Sequence, residues 1–476
     1  MFWIRQPAPA RVATDTVVPL KFLDDSIINR TFVMNPLYIY DELLDVDKLR
    51  SSLERLVQRE GFRKLGARLR KNEQGGYEHH IPAEYTKERP PIGYTYVKHD
   101  VNSEEHSVSS RLPKPRGHPA LVCDPAGLAD VFRGPDSPKN MDDYLYTDRP
   151  QLNVHVVSFQ DKTVVSIYWP HSIFDAMGMK VMHDAWTLML QGKEDDIRSP
   201  HGFDRDVLSE FGKHATEPHK LEDRLMTTPN LVMYGLRNIL DLTLRGKENR
   251  MAWIPGTFLE KLRATALAEL KAEGQEKPWL SEGDVLSAWW LRLSISHFPR
   301  DSERNVVVQN AFSMRSQLGK DLIPTGSGYL SNCTGYIYFV LPAKEILQKS
   351  LGYVAWQFRR AIEEQATREQ VEAYAALVRQ SSVSAPPFFG DGSSHMVTFS
   401  NWTKASHFEA DLSGAAVNPR NTPCVPSYVQ CVEMPYNFTE GFQIFGKDAH
   451  GNYWIGGNRV NGLWGKIEAQ LAQAEL

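Results

Sequence analysis

Hydrophobic positions recur along the chain with two spacings, one typical of helices and one typical of strands. Residues 44–57 carry leucines three or four positions apart, which predicts a surface helix with one buried face. Residues 152–159 and 163–169 are rich in β-branched and aromatic side chains and are separated by a short polar turn, which predicts a β-hairpin. Helical spacing returns over residues 177–190, so a strand gives way to a helix just before them.

The second half of the chain shows the same mixture of patterns. We predict helices at 258–270, 281–293 and 463–476, a long helical region at 346–380, strands at 305–310, 336–341 and 396–400, and a closing hairpin at 443–446 and 453–456. Residues 191–250 are polar and interrupted by prolines, apart from an amphipathic stretch at 231–244. Because helices and strands mix on both sides of this stretch, we expect an α/β or α+β fold with a domain at 1–225, a crossover segment at 226–255 and a domain at 256–476.

Length and charge support this organisation and exclude two classes of partner. A chain of 476 residues suggests two domains at roughly 100–200 residues each. The net charge of −4 gives no global basic field, so we expect no nucleic-acid partner. No run of about 18 apolar residues is present, so we expect no membrane span. The densest basic stretch, residues 63–71, is interpreted as the solvated face of a helix and a strand.

The four cysteines form no metal-binding or redox pattern, so we expect reduced thiols, no bound metal and a cytoplasmic location. The first 25 residues contain prolines where a signal peptide needs an apolar run, which agrees with that location. No feature marks an interface between copies, and a monomer is the default expectation.

Catalytic chemistry is suggested by a histidine followed four residues later by an aspartate. This spacing starts at four histidines, namely His171, His219, His297 and His407. Only His171 leaves a predicted strand and precedes a predicted helix, a junction that can hold a side chain rigidly beside a cleft. The local residues also allow a purely structural role, in which His171 ends the strand and bonds Asp175.

The wider sequence resembles the BAHD acyltransferases, coenzyme A-dependent enzymes with an HxxxDG motif, and is closest to fungal secondary-metabolite members such as trichothecene O-acetyltransferases. The resemblance covers nearly the whole chain and rests on the order and spacing of several segments: Gln151–Trp186 around His171, Val18–Asp24, Leu49–Leu69, Leu280–Trp290, Phe312–Arg315 with Gly328–Asn332, and Asp411–Ala415. It implies two similar-sized domains of the chloramphenicol-acetyltransferase type, each a mixed sheet flanked by helices, with the active site in a channel at their interface.

The resemblance also implies roles for individual residues. His171 is the expected catalytic base. Asp175 is expected to form a buried ion pair instead of orienting the imidazole as in a hydrolase triad, and Arg315 is the candidate partner for it or for Asp411. Apart from the resemblance, four residues are candidates for the substrate or coenzyme A pocket, namely Asn332, Trp402, Ser413 and Gly414. A turn role for Asn332 and a core role for Trp402 stay open.

Two positions depart from the family pattern. The glycine expected after Asp175 is Ala176, and Gly178 is a candidate to relieve the crowding. In the segment corresponding to the family's DFGWG motif, only Asp411 is kept, since residues 412–415 read Leu-Ser-Gly-Ala. In the family this second motif is structural. Its loss therefore weakens the expectation of coenzyme A affinity more than the expectation of acyl transfer.

The implied reaction moves an acyl group, most simply acetyl, from acyl-coenzyme A to a hydroxyl or amine of a small molecule. Acyl-coenzyme A is a co-substrate, and no bound cofactor is expected. Without a Gly-x-Ser-x-Gly elbow or a placed cysteine, direct attack is favoured over an acyl-enzyme. Three alternatives stay open: a condensation-domain relative using a carrier-bound thioester, a thioesterase, and a binding protein without catalytic activity.

Overall fold

The computed structural model describes residues 7–434 and 440–473 of the chain. Its strands are Thr16–Pro19 (β1), Val33–Tyr40 (β2), Arg68–Lys71 (β3), Tyr77–Ile81 (β4), Gly93–Lys98 (β5), Ala120–Cys123 (β6), Asn153–Ser158 (β7), Thr163–Pro170 (β8), Lys247–Ile254 (β9), Asn305–Ser313 (β10), Thr334–Pro342 (β11), His395–Asn401 (β12), Tyr428–Met434 (β13), Glu440–Lys447 (β14) and Tyr453–Val460 (β15). Its α-helices are Val46–Gln58 (α1), Pro125–Val131 (α2), Asp142–Leu145 (α3), Ala176–Leu190 (α4), Thr228–Arg245 (α5), Gly256–Ala272 (α6), Glu282–Ser294 (α7), Ala343–Gln348 (α8), Leu351–Gln365 (α9), Arg368–Gln380 (α10) and Trp464–Leu471 (α11).

Two large mixed sheets carry the fold. One has the strand order β13-β2-β8-β7-β5, and the other has the order β11-β10-β12-β14-β15-β9-β6. The predicted hairpin is the antiparallel pair β7 and β8, and the predicted closing hairpin is β14 and β15. Helices α1 and α4 pack on the first sheet, and α6, α7 and α9 form the core of the second half. The prediction of mixed sheets flanked by helices is confirmed.

Each half of the chain contributes one edge strand to the sheet of the other half. Strand β6 pairs antiparallel with β9 at the edge of the seven-stranded sheet, and β13 pairs antiparallel with β2 at the edge of the five-stranded sheet. Such exchange covers two sheet edges that would otherwise expose unpaired backbone groups. The boundaries at 225 and 256 stay a prediction, but the sheets themselves do not divide the chain at one point.

Two local interpretations need correction. The long helical region at 346–380 is three helices, because Ser350 and Thr367 each cap a new helix with a side-chain oxygen. The basic stretch at 63–71 is not a solvated face, since Arg68 and Arg70 are buried and bond to the backbone and to Asp148. The stretch at 231–244, predicted to be amphipathic, lies within the helix α5, in which no residue is fully buried.

Within the described ranges, no helix is both long enough and apolar enough to cross a bilayer.

Candidate active site

His171 is the first residue after β8, in the short loop that leads into α4. Its backbone is held on both sides: its N–H donates to the carbonyl oxygen of Phe32 at 2.8 Å, and its carbonyl oxygen accepts from Nδ2 of Asn332 at 2.9 Å. Phe32 precedes β2 in the same sheet, whereas Asn332 belongs to the turn before β11 in the other sheet. The histidine is therefore fixed at the meeting point of the two halves.

A cavity of about 700 Å³ opens beside His171 and is lined by residues from both halves. One group of lining residues is mainly apolar and consists of Leu23, Ile28, Phe32, Val378 and Pro386. A second group is mainly polar or aromatic and consists of Trp279, Ser281, Gly283, Asn401 and Lys404. Within the second group, Asn401 lies against Gly283, beside Ser281, the capping residue of α7. The volume suits a small molecule.

The imidazole of His171 is partly exposed and lines this cavity. Its Nδ1 atom is enclosed and has no hydrogen-bond partner among the described residues, which leaves Nε2 as the nitrogen on the accessible side of the ring. Burial lowers the pKa of His171, and its own backbone carbonyl, Asp175 and Asn332 oppose this effect less strongly. The ring is therefore neutral at pH 7 and can accept a proton.

Asp175 begins α4 and ties it to the other half of the molecule. Its Oδ1 accepts from the backbone N–H groups of Met177 and Gly178 at 3.1 and 2.9 Å, which caps the helix. Arg315, in the turn after β10, donates to both carboxylate oxygens at 2.8 and 2.9 Å. Such a bidentate ion pair fixes the orientation of both side chains and also compensates their charges.

Two further donors complete the surroundings of this carboxylate. The backbone N–H of Cys333 and the hydroxyl of Thr334 both donate to Oδ2 of Asp175 at 2.8 Å. Burial disfavours the carboxylate, but Arg315 and these donors outweigh it and lower the pKa of Asp175 to about 2. Within the described part of the chain every hydrogen bond that Asp175 accepts comes from these groups or the helix cap, so none comes from His171.

The alanine at position 176 fits without strain. It is the first residue of α4, has no left-handed backbone angle, lines the cavity and packs against the core of the first half. The crowded position is Gly178, where an added Cβ would lie 2.3 Å from the carbonyl oxygen of Leu330. Gly178 is thus required for the close approach of α4 to the second half.

Asn332 and Trp402 lie near His171, but neither has an N–H left for a substrate. Both protons of the Asn332 amide are used, since Nδ2 donates to Asp24 at 2.7 Å and to the carbonyl of His171. Trp402 lines the cavity, yet its indole N–H donates to the hydroxyl of Ser400 at 2.8 Å. Asn332 therefore supports the His171 loop, and Trp402 forms part of the cavity wall.

The structure places the Asp411–Gly414 segment away from the cavity. Asp411 does not meet Arg315; its carboxylate accepts from the backbone N–H groups of Ser413 and Cys424, both at 2.8 Å. Gly414 packs so closely on α4 that an added Cβ would lie 2.4 Å from the carbonyl oxygen of Leu190. This corrects the expectation that Ser413 and Gly414 line the substrate or coenzyme A pocket, because the segment supports the far end of α4.

Sequence reasoning missed two charged residues behind His171. Asp24 is buried and accepts from both the backbone N–H and the amide of Asn332. Lys64 donates to the carbonyl of Ile173 and to the hydroxyl of Ser331. Lys64 lay within the stretch interpreted as solvated, and no local pattern marks it as different from its neighbours.

Among the described residues, no group of three or more His, Cys, Asp or Glu side chains is arranged to hold a metal.

We expect Asp175→Ala to be less stable by about 3–5 kcal/mol, because it leaves the Arg315 guanidinium buried without its partner. Asp175→Asn keeps the helix cap but not the charge, and its loss should be smaller. Asp184→Asn, which breaks an exposed pair with Lys180 on the same helix, is the matched control and should change stability by less than about 1 kcal/mol. Urea unfolding measures all three. An Asp175→Ala protein as stable as the parent would refute the structural role.

We also expect Gly178→Ala to lower stability by about 1–3 kcal/mol, because its new methyl group must push α4 away from Leu330. The reciprocal change Ala176→Gly alters the same turn of the helix without crowding and serves as the control. Thermal unfolding of both variants tests this, and equal melting temperatures would contradict the close approach described above.

Comparison with known proteins identifies the family. The profile of the family described as "Transferase family" matches residues 137–414, more than half of the chain. A protein of Penicillium decumbens named transcriptional regulator calD is 38% identical over 482 residues, covering 98% of each chain. Acetyltransferase adrJ of Penicillium rubens is 35% identical over 482 residues, covering 98% of this chain and 97% of its own.

A solved structure shares the fold. TRI101 of F. graminearum, in complex with coenzyme A and T-2 mycotoxin, matches with a TM-score of 0.71 at 13% identity, covering 96% of this chain and 98% of its own. The predicted two-domain α/β architecture and the predicted family are thereby confirmed. The profile match and the full-length relatives together show that this chain belongs to the transferase family of BAHD-type acyltransferases.

Proposed function

We propose that this protein transfers an acyl group, most simply acetyl, from acyl-coenzyme A to a hydroxyl or amine of a small secondary-metabolite acceptor, with His171 as general base. The observation that carries the proposal is the position of a neutral imidazole, held by its own backbone, on the wall of a cavity shared by both halves. Neutral imidazole is the form that can take a proton at pH 7.

In this reaction the acceptor hydroxyl binds against Nε2 of His171. As its oxygen attacks the thioester carbonyl carbon, the hydroxyl proton passes to Nε2 and the carbonyl electrons move onto oxygen. Collapse of the tetrahedral intermediate breaks the carbon–sulfur bond, and the sulfur takes the proton back from the imidazolium. The products are the ester and the free thiol of coenzyme A, so the enzyme returns to its starting form.

Positioning supplies more of the rate than the base does. A placed general base contributes roughly 10²–10⁴-fold. Holding donor and acceptor together can contribute about 7–11 kcal/mol, a larger effect. The hydrogen bond that His171 donates to Phe32, the one it accepts from Asn332 and the pairing of Asp175 with Arg315 therefore matter, because they fix where the imidazole lies.

The mixture of apolar and polar residues in the cavity lining suggests how the two substrates are recognised. We propose that the apolar group, which includes Leu23 and Val378, contacts the acceptor, while the group with Trp279 and Lys404 contacts the polar parts of the thioester. Relatives named acetyltransferases support acetyl as the acyl group. The complex of TRI101 with coenzyme A and T-2 mycotoxin supports coenzyme A and a small-molecule acceptor as the two ligands of this protein.

A binding protein without catalytic activity is the second candidate, because one relative of 38% identity is named a transcriptional regulator. The departures at residues 412–415 do not favour it, since that segment packs on α4 and leaves the cavity walls unchanged. Turnover separates the two candidates.

We expect the protein to release coenzyme A thiol from acetyl-coenzyme A when a panel of alcohols and amines supplies an acceptor, and His171→Ala to reduce this rate by about 10²-fold or more. His297→Ala, at another histidine with an aspartate four residues on but outside the cavity lining, is the control and should be near wild type. A thiol-reactive dye measures the release, and mass spectrometry identifies the ester or amide. Thiol release at the wild-type rate in His171→Ala would contradict the proposal. Thiol release in the absence of an acceptor would indicate a thioesterase.

The pH dependence follows from the lowered pKa of His171. The base works only when unprotonated, so activity is present above the folded-state pKa and is lost as the pH falls through it. Because burial holds that pKa below its ordinary value of 6.5, the midpoint of the acid limb of kcat/KM should lie below pH 6.5. An acid limb with its midpoint above pH 7 would contradict the neutral, buried imidazole.

A further inference from the structure

Behind the His171 loop lies a lysine that the proposed reaction does not use. Lys64 belongs to the 3₁₀ turn Arg63–Gly66, just before β3, and its side chain runs beneath the loop between β8 and α4. Its Nζ donates to the carbonyl oxygen of Ile173 at 2.8 Å and to the hydroxyl of Ser331 at 2.7 Å. One ammonium group thus joins a loop of the first sheet to the turn before β11.

Both ends of this bridge lead to His171. Ile173 is two residues beyond the histidine, in the same loop. Ser331 directly precedes Asn332, whose amide holds the carbonyl of His171. The carbonyl of Ser331 is itself fixed by Arg315 at 2.7 Å, so the ion pair of Asp175 and the bridge of Lys64 meet at one residue.

A buried carboxylate accompanies this lysine. Asp24 is 1% exposed, and its Oδ1 accepts from the backbone N–H and the amide of Asn332 at 2.8 and 2.7 Å. Its second oxygen has no hydrogen-bond partner among the described residues. Burial raises the pKa of Asp24, and the charge of Lys64 is the strongest influence that opposes this. The ammonium of Lys64 therefore helps to keep the carboxylate of Asp24 charged, and this carboxylate orients Asn332.

We propose that Lys64 is a positioning residue, whose ammonium group holds the His171–Asp175 loop in register with the Ser331–Asn332 turn and so aims the imidazole into the cavity. This inference rests on the proposed function of His171 as base. Lys64 lies outside the cavity lining and does not touch a reacting atom.

The charge of Lys64 is lost at moderately alkaline pH. Burial lowers the pKa of Lys64 to about 8, with Asp24 opposing the shift. The charged and titratable groups that act with it are the anions Asp24 and Asp175, the cations Lys21 and Arg315, and His79. Below about pH 8 the group is an ammonium and its two hydrogen bonds are charge-assisted, and above that pH they weaken and Asp24 loses its counter-charge.

The test compares Lys64→Met with wild type, using acetyl-coenzyme A and the panel acceptor that wild type uses fastest. Methionine keeps the length of the side chain but removes the charge and both hydrogen bonds. We expect kcat to fall by about 10–100-fold, the effect of a displacement of about an ångström at a reacting group, while KM for acetyl-coenzyme A changes by less than about threefold. Lys21→Met is the matched control, because this second partly buried cation near Asp24 donates to Gly202 and not to the loop.

The pH profile separates positioning from a general effect on folding. Wild-type kcat should fall above about pH 8, with the fold intact by circular dichroism. Lys64→Met should show no fall in kcat above pH 8, because it has no ammonium group to lose. Lys64→Arg should show none either, because its guanidinium stays charged. A kcat within about threefold of wild type for Lys64→Met, or the same alkaline limb in all three proteins, would overturn the proposal.

Hydrogen–deuterium exchange gives an answer that does not depend on turnover. If Lys64 holds the loop, amides of residues 171–177 exchange faster in Lys64→Met than in wild type or Lys21→Met, even where no acceptor is found. A wild type without turnover but with this difference would refute the proposed function and keep the bridge. Unchanged exchange in an active wild type would refute the bridge alone.

Discussion

A carboxylate buried at a helix start must be paired, and this requirement organises the centre of the molecule. Asp175 reaches across from the first residues of α4 to Arg315 and to the backbone of Cys333, so the beginning of one helix is fixed against the strands of the other half. Removing one partner of a buried pair leaves an isolated charge, which costs far more than an exposed pair contributes. The loop that carries His171 begins at the end of β8 and ends at Asp175, which pairs with Arg315. Its position is therefore determined by both sheets.

The same constraint explains why Asp175 cannot act as the third member of a hydrolase triad. Both of its oxygens are occupied by Arg315, by Cys333 and Thr334 at the start of β11, and by the helix cap, and its pKa is far below neutral. The histidine is instead held through its backbone by Phe32 and Asn332, while its ring lies free beside the cavity. Fixing the residue by its backbone leaves Nε2, on the cavity side of the ring, free to exchange a proton with substrate.

Much of this arrangement could be predicted from local sequence. The β7–β8 hairpin, the change to helical spacing at α4 and the placement of His171 between them follow from side-chain periodicity. Exchange of the edge strands β6 and β13 could not be predicted, because a local pattern shows that a segment is extended but not which strand it pairs with. Lys64 was hidden for a related reason: its charge suggested a solvated surface, and only the fold brings Ile173 and Ser331 to it. The pocket expected at Ser413 and Gly414 failed because those residues pack on α4, a contact that sequence order does not reveal.

The account depends most on the claim that the thioester reacts beside Nε2 of His171. A crystal structure with coenzyme A bound tests this directly through the distance from the thiol sulfur to that nitrogen. We predict a sulfur in the cavity within about 6 Å of Nε2, which leaves room for one acyl carbon and one hydroxyl at reacting distances of about 3 Å. A thiol bound outside the cavity, or one separated from the imidazole by protein atoms, would contradict the account.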